Sequence, residues 1–269
     1  MRRLPRRVPE GRGLIVLALA SAFAGDAEHG ARLAGLGACA ACHTADGGEP
    51  YAGGHAVETP FGTFYGSNLT PDPEHGIGTW AYADFVSAMR RGKGPDGAYW
   101  PAFPYTSFNA LTDADLEDLW AFLQTVAPVA TPDREHDGPA GWKRWAWRRL
   151  AFRPHAFEPD PTATPEQQRG QYLVDVVGHC GECHSPRSRL GRVDRDAYLE
   201  GGTPPFNKAP PIDREALASW THGDLESFFE MGMLPDGDFV GSGMYRVVED
   251  GTAKLSPEDR AAIIAWLTR

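Results

Sequence analysis

The placement of the cysteines constrains the fold of this chain more than any other feature. The sequence of 269 residues has four of them, and they form two copies of one five-residue pattern, Cys39-Ala-Ala-Cys42-His43 and Cys180-Gly-Glu-Cys183-His184. Two thiols three positions apart can reach both vinyl groups of one porphyrin, and the histidine that follows can supply the proximal nitrogen to its iron. The pattern therefore predicts two covalently attached haem c groups.

Other uses of paired cysteines explain the pattern less well. A thioredoxin-type redox pair needs no histidine after its second cysteine, and a zinc site built from four cysteines would explain the thiols but not the histidines. Disulfides are the third alternative. Histidine makes up 9 of 269 residues, so chance placement after both pairs has odds of about one in nine hundred. The predicted iron ligands are His43 and His184.

The chain is also an internal repeat. The two motifs begin 141 residues apart, and a Trp-led segment, a Pro-Asp-Gly turn and a final helix start recur at nearly that spacing. The matching features are Trp80 and Trp220, Gly92-Lys-Gly-Pro-Asp-Gly97 and Gly232-Met-Leu-Pro-Asp-Gly237, and Thr112/Asp115 and Ser256/Asp259. We expect two tandem domains, each wrapped around a haem that replaces much of the core a domain of about 100 residues needs.

Apolar periodicity predicts an all-α fold. Thr164, Pro165 and Gln167 form a helix start with a capping box. Matching apolar stripes at helical spacing are Leu116, Leu119, Trp120 and Leu123 in the first half, and Ile263, Ile264 and Leu267 in the second. No alternating run is long enough to indicate a sheet. The predicted bounds are 1–24 for a signal peptide, 25–127 and 164–269 for the domains, and 128–163 for an ordered strap.

The first 24 residues are typical of a secretory signal. Five arginines precede an apolar run, and Ala22-Phe-Ala24 fits the cleavage pattern, so we expect export to the periplasm with cleavage after Ala24. The alternative is an uncleaved anchor. Residues 1–24 carry five Arg and one Glu, so a chain of net charge −10 would become one of −14. That charge argues against nucleic-acid binding and suits either docking on a basic protein face or solubility alone.

The connecting segment has a short stretch of mixed aromatic and basic residues. Trp142, Trp145, Trp147 and Leu150 interleave with Lys143, Arg144, Arg148 and Arg149, which is typical of an amphipathic helix. Contact of residues 142–150 with a membrane or a partner subunit is one interpretation. The favoured interpretation is a strap packed across both domains, because the acidic domains attract it.

The two halves differ where a second axial ligand is expected. Met244 lies 60 residues after His184 and follows Gly241 and Gly243, which would let a loop approach the porphyrin, and it is the predicted ligand of the second haem. Met231 and Met233 compete, but they are expected to be core residues at the end of the Trp220-led helix.

In the first half the residue 60 positions after His43 is Phe103, which cannot bind iron. The first haem is then either five-coordinate with Phe103 shielding one face, or ligated by another residue. The candidates are Met89, whose simpler role is packing, and His55 or His75. Loss of a methionine ligand would lower the reduction potential of this haem.

Longer strings indicate a resemblance to a known family. They include Thr59-Pro-Phe-Gly-Thr63, Asn68-Leu-Thr-Pro-Asp-Pro73, Tyr99 to Phe108, Arg169-Gly-Gln-Tyr172, Gly178-His-Cys-Gly-Glu-Cys-His184 and Ser185-Pro-Arg187. The chain resembles the dihaem class I cytochromes c related to the cytochrome subunits of membrane-bound alcohol and sugar-acid dehydrogenases. The resemblance implies that His43, His184 and Met244 are axial ligands. The family's first-domain methionine falls on Phe103 and is missing.

Electron transfer is the function that these features favour. Electrons would enter from a dehydrogenase-type donor and leave to a cytochrome or a terminal oxidase, and the chain would be a carrier or subunit rather than an enzyme in its own right. The alternative is a peroxidase-like or thiosulfate-oxidising enzyme that uses an open position on the first haem, with His55, Glu58 and His75 as acid-base candidates. A haem-based gas sensor is the third hypothesis.

Overall fold

The computed structural model describes residues 25–139 and 141–269, so the predicted signal peptide lies outside the described residues. The first half contains helices α1 (Ala27–Leu36), α2 (Cys39–His43), α3 (Tyr82–Arg91), α4 (Tyr105–Phe108) and α5 (Asp113–Leu123). The connecting segment contains α6 (Gly141–Ala151). The second half contains α7 (Pro165–Tyr172), α8 (Gly181–His184), α9 (His222–Met231), α10 (Ser242–Asp250) and α11 (Pro257–Leu267). A π turn (Leu173–Val177) continues α7, and a 3-10 turn (Thr252–Lys254) precedes α11.

Two small antiparallel hairpins make the fold helix-rich rather than strictly all-α. Strand β1 (Ala56–Thr59) pairs with β2 (Gly62–Tyr65), and β3 (Lys93–Gly94) pairs with β4 (Gly97–Ala98). Strands of two to four residues are too short to show the alternating pattern by which a sheet is recognised in sequence. The first hairpin also bridges to the connecting segment, through Thr63 and Asp137.

The terminal helices of each half cross in close contact. A Cβ atom built on Gly30 of α1 would lie 2.0 Å from the carbonyl oxygen of Asp118 in α5. The second half repeats this crossing, because a Cβ atom on Gly170 of α7 would lie 1.9 Å from the carbonyl oxygen of Ala262 in α11. The predicted apolar stripes of α5 and α11 are buried at these crossings, as expected. Each half therefore closes by packing its last helix on its first.

The predicted helix starts are confirmed. The Thr112 hydroxyl accepts a hydrogen bond from the Asp115 amide at 3.1 Å, and the Ser256 hydroxyl accepts one from the Asp259 amide at 3.2 Å. Thr164 and Gln167 form the reciprocal capping box in front of α7. These caps satisfy amides that have no partner within their own helix.

The helices α3 and α9 end in the same way. Gly92 and Gly232 follow their last residues with φ of 56° and 76°, a left-handed conformation that glycine adopts without strain. Each glycine reverses the chain into the matching turn of its half. The two matched helices therefore end in the same local conformation.

A one-residue difference separates the two halves just before the cysteines. Nine positions lead from Gly30 to Cys39, but ten lead from Gly170 to Cys180. The π turn (Leu173–Val177) accommodates the additional residue, since a π turn inserts one residue into a helix. Both halves can therefore keep the same helix crossing and the same attachment motif.

The two halves share a continuous apolar core and polar contacts. Leu36 and Val177, at the ends of the two opening helices, belong to one buried cluster. The Tyr172 hydroxyl donates to the buried carboxylate of Asp115 and accepts from the Thr112 amide at 3.0 Å. Of the helices in the described ranges, none has the length and apolar character needed to cross a membrane.

Candidate functional site

Each Cys-x-x-Cys-His motif follows the same sharp turn. Ala38 and His179, which directly precede Cys39 and Cys180, both have positive φ, of 51° and 38°. The turn ends the preceding helix, and a single helical turn, α2 or α8, then carries the second cysteine and the histidine. The local backbone therefore presents two thiols and one imidazole from one compact segment in each half.

The two histidines of the motifs have matching hydrogen bonds. Nδ1 of His43 lies 2.7 Å from the Ser67 carbonyl oxygen, and Nδ1 of His184 lies 2.7 Å from the Pro210 carbonyl oxygen. A carbonyl oxygen only accepts, so each Nδ1 carries the proton and donates it. Nε2 is left with a lone pair, the arrangement of an imidazole that binds a metal. Burial lowers the pKa of both imidazoles, which favours this neutral form.

The four cysteines form no disulfide. Burial raises the pKa of Cys39 and of Cys180 to about 12, and it also raises the pKa of Cys42 and Cys183. A redox-active pair depends on a thiolate, which buried thiols of high pKa do not form readily. Two unpaired thiols beside one neutral imidazole fit the donor set of a covalently attached haem.

The two motifs abut each other. The imidazole of His179 donates from Nε2 to the carbonyl oxygen of Gly37, two residues before Cys39, over 3.2 Å. The neighbouring Cys183 thiol is, after burial, the second cause of the raised pKa of Cys42. The two candidate haem sites are therefore neighbours at the junction between the halves.

The Glu182 side chain of the second motif contacts both halves of the chain. Glu182 accepts hydrogen bonds from the hydroxyls of Thr106 and Ser107, on α4 of the first half, at 3.0 and 3.1 Å. On its other side it pairs with the Arg187 guanidinium at 2.5 Å. Burial acts to raise the pKa of Glu182, but Arg187, His179 and these hydrogen bonds outweigh it, so the pKa is lowered and the carboxylate stays charged.

The methionines of the second half are placed differently from the sequence-based expectation. Met244 is half-buried and lies in the first turn of helix α10 rather than in a loop, because Gly241 already caps a helix there. Met231 was expected to be a core residue, and this is wrong: it is 52% exposed, because it is the last residue of α9 and ends at the surface. Met233 is half-buried.

Phe103 belongs to a group of aromatic rings in the first half. Its ring centroid lies 6.1 Å from that of Tyr99 and 5.7 Å from that of Phe108, and the Phe108 ring lies 5.2 Å from His179. The group therefore connects the position where a methionine ligand was expected with the residue that precedes Cys180.

The other ligand candidates of the first half have ordinary surroundings. Met89 is 7% exposed and belongs to the apolar core with Phe85, which is the packing role considered for it. His55 and His75 lie 3.9 and 4.0 Å from the carboxylates of Asp46 and Glu74 at the surface.

Several residues of the site escaped the sequence analysis. The carbonyl groups of Ser67 and Pro210 carry no side-chain signal, and His179 and Glu182 were noticed only as parts of a motif. The one available signal was a carboxylate inside Cys180-Gly-Glu-Cys183 with Arg187 a short distance after it. A charged side chain next to buried cysteines needs a partner of its own within the protein, because its burial costs free energy unless it is paired.

Comparisons with known proteins agree with this geometry. The family model described as cytochrome c matches residues 27–127. The chain is 39% identical to a diheme cytochrome c-type protein of Cereibacter sphaeroides, over 93% of this chain and 88% of that protein. It is 38% identical to the cytochrome c subunit of alcohol dehydrogenase (quinone) from Gluconobacter oxydans and to the gluconate 2-dehydrogenase cytochrome c subunit of Pantoea cypripedii. These two matches cover 95% and 93% of the chain, but only 58% and 61% of the relatives.

Proposed function

The chain belongs to the cytochrome c family, and from this we propose that it is a periplasmic dihaem cytochrome c that transfers electrons between a dehydrogenase-type donor and a respiratory acceptor. One observation carries the proposal: each of two abutting motifs holds a neutral imidazole whose Nδ1 is bound to a carbonyl oxygen at 2.7 Å. Bound haem c supplies one-electron oxidation and reduction.

The residues of the chain have defined parts in this proposal. Cys39 and Cys42 attach one haem and Cys180 and Cys183 attach the other. His43 and His184 bind iron through Nε2, because the Ser67 and Pro210 carbonyl groups fix the opposite nitrogen. Met244 is the proposed second ligand in the second half. The proposed domains are residues 25–127 and 164–269, joined by the strap 128–163.

The proposed partners follow from the relatives and from charge. Two of the relatives are named as cytochrome c subunits of an alcohol and a gluconate dehydrogenase, which supports a dehydrogenase as donor. A chain of net charge −10, or −14 after removal of residues 1–24, suits a partner with a basic face and an encounter that salt weakens. The basic and apolar beginning of the chain supports export to the periplasm.

The test is a measurement of haem content with variants of each motif. The purified protein should carry two covalent haems, measured by mass and by the pyridine haemochrome spectrum. The double substitutions Cys39→Ala/Cys42→Ala and Cys180→Ala/Cys183→Ala should each remove one. A spectroelectrochemical titration of the intact protein should then show two one-electron steps. One haem or none in the unaltered protein would refute the proposal.

Phe103 favours a second candidate function, a redox enzyme with an open coordination position on the first haem. An aromatic ring cannot bind iron, and the rings of Tyr99 and Phe108 hold Phe103 in place. Low-temperature EPR of the oxidised protein separates the candidates. Two low-spin signals support a carrier. One high-spin signal that Phe103→Met converts to low-spin, together with turnover of hydrogen peroxide by the unaltered protein, supports the enzyme.

A further inference from the structure

The helix α6 presents large apolar side chains to solvent. Trp142, Trp145 and Leu150 are 68%, 69% and 64% exposed, and they are the most exposed large apolar side chains among the described residues. They share the side of the helix opposite the buried Ala151. An outward group of this kind marks an interaction surface more often than an accident of packing.

Hydrogen bonds on the inner side of α6 hold the helix in this orientation. Arg148 donates to the carbonyl oxygens of Arg91 and Gly92 at 2.5 and 3.2 Å, and its guanidinium lies 5.3 Å from the centroid of the Tyr105 ring. Trp147 donates from its indole nitrogen to the Leu190 carbonyl oxygen at 2.6 Å. The strap interpretation therefore holds for one side of the helix only, and the helix cannot roll to bury Trp142 and Trp145 without breaking these bonds.

The charge of α6 is opposite to that of the chain. Residues 141–151 contain Lys143, Arg144, Arg148 and Arg149 and no acidic residue, whereas the whole chain has a net charge of −10. Each basic residue near an anionic lipid surface contributes about 1 kcal/mol of attraction. The remaining acidic surface is repelled by the same lipids, so an anionic membrane would select this face for contact.

We propose that α6 docks the protein on the surface of an anionic phospholipid membrane. The helix lies in the plane of the interface, with Trp142, Trp145 and Leu150 at the boundary between headgroups and acyl chains and with Lys143 and Arg149 among the headgroup phosphates. Tryptophan and leucine on one exposed side, with Lys143 beside them and Arg149 between the two tryptophans, form the composition of an interfacial helix. A bilayer accommodates exposed side chains of this size without a preformed pocket, whereas a protein could match them only with a dedicated groove.

Vesicle co-sedimentation of the purified haem-loaded protein tests the proposal. We expect binding to vesicles with phosphatidylglycerol, at least tenfold weaker binding to pure phosphatidylcholine, and release by salt. The variant Trp142→Ala/Trp145→Ala should reduce the partition coefficient at least tenfold, and Lys143→Glu/Arg149→Glu should do the same. Because these side chains are exposed, circular dichroism of the variants should remain that of the unaltered protein.

Matched substitutions elsewhere provide the controls. Phe239, 60% exposed in the second half, is replaced in Phe239→Ala, and two exposed basic residues are replaced in Lys208→Glu/Arg214→Glu. Both variants should bind vesicles as the unaltered protein does. Unchanged binding by the α6 variants would overturn the proposal and assign attachment to another segment, including residues 1–24. Binding to neither kind of vesicle would overturn it in favour of a protein partner.

Discussion

Replacement of Gly170 by alanine tests the helix crossing that closes the second half. The new Cβ atom would lie 1.9 Å from the Ala262 carbonyl oxygen, and real Cβ atoms essentially never come within 3.0 Å of a neighbour. Helices α7 and α11 must therefore separate by about 1 Å, because the neighbour is backbone and cannot rotate away. Overpacking of this kind costs about 3 kcal/mol. The higher helix propensity of alanine returns about 1 kcal/mol, so the expected net loss is about 2 kcal/mol.

Guanidinium unfolding followed by circular dichroism measures this loss. The free energy of unfolding falls by about 4 kcal/mol per M of guanidinium, so a destabilisation of about 2 kcal/mol lowers the midpoint of the transition by about 0.5 M. Gly223→Ala is the matched control, because the nearest atom to its new Cβ is the Thr221 hydroxyl oxygen at 3.8 Å. It should be neutral or raise the midpoint slightly. If Gly170→Ala is as stable as Gly223→Ala, the close crossing of the two helices is wrong.

Three further substitutions address buried polar groups. Glu182→Gln should lower the free energy of unfolding by about 3 kcal/mol, because it leaves the Arg187 guanidinium buried without its carboxylate, and a loss below 1 kcal/mol would contradict the ion pair. Tyr172→Phe should cost about 2 kcal/mol by leaving the Asp115 carboxylate without its donor, which the denaturation midpoint reports. Burial raises the pKa of Asp175, so the native state binds a proton more tightly than the unfolded state and loses stability as pH rises from about 4 through the raised pKa. Asp175→Asn should remove this loss, so its stability relative to the unaltered protein should grow with pH. A difference that is equal at pH 4 and pH 7 would count against it.

Local features of the fold could be predicted from the sequence. The caps at Thr112, Thr164 and Ser256 were correct because a side chain three residues from its backbone partner needs no knowledge of the tertiary structure. The buried stripes of α5 and α11 were correct because helical spacing alone places their residues on one side. The short hairpins β1–β2 and β3–β4 were missed because their strands are shorter than one readable period of alternation.

The features that depend on how the halves pack could not be predicted. The contact of Glu182 with Thr106 joins residues 76 positions apart, and the bond from His179 to the Gly37 carbonyl group joins residues 142 positions apart. No local pattern records such distances. The orientation of α6 could not be predicted for the same reason. Its sequence indicated an amphipathic helix, but the side that faces the protein is set by the distant carbonyl groups of Arg91 and Gly92, which accept hydrogen bonds from Arg148.

Because of the π turn (Leu173–Val177), the two halves align with one offset before the turn and another after it. A residue-by-residue alignment pairs Gly30 with Gly170 at an offset of 140, but pairs Cys39 with Cys180 at an offset of 141. Copying 31–38 over 171–179 replaces nine residues by eight and removes the π turn together with the additional residue, so the motif of the second half should keep its orientation relative to the helix crossing. A crossover inside the opening helix that kept the ten-position spacing but lost the π turn would instead turn the thiols by about 100° around the axis of α7. A chimaera of the two halves therefore keeps its attachment geometry only if the segment from the crossing glycine to the first cysteine is transplanted whole.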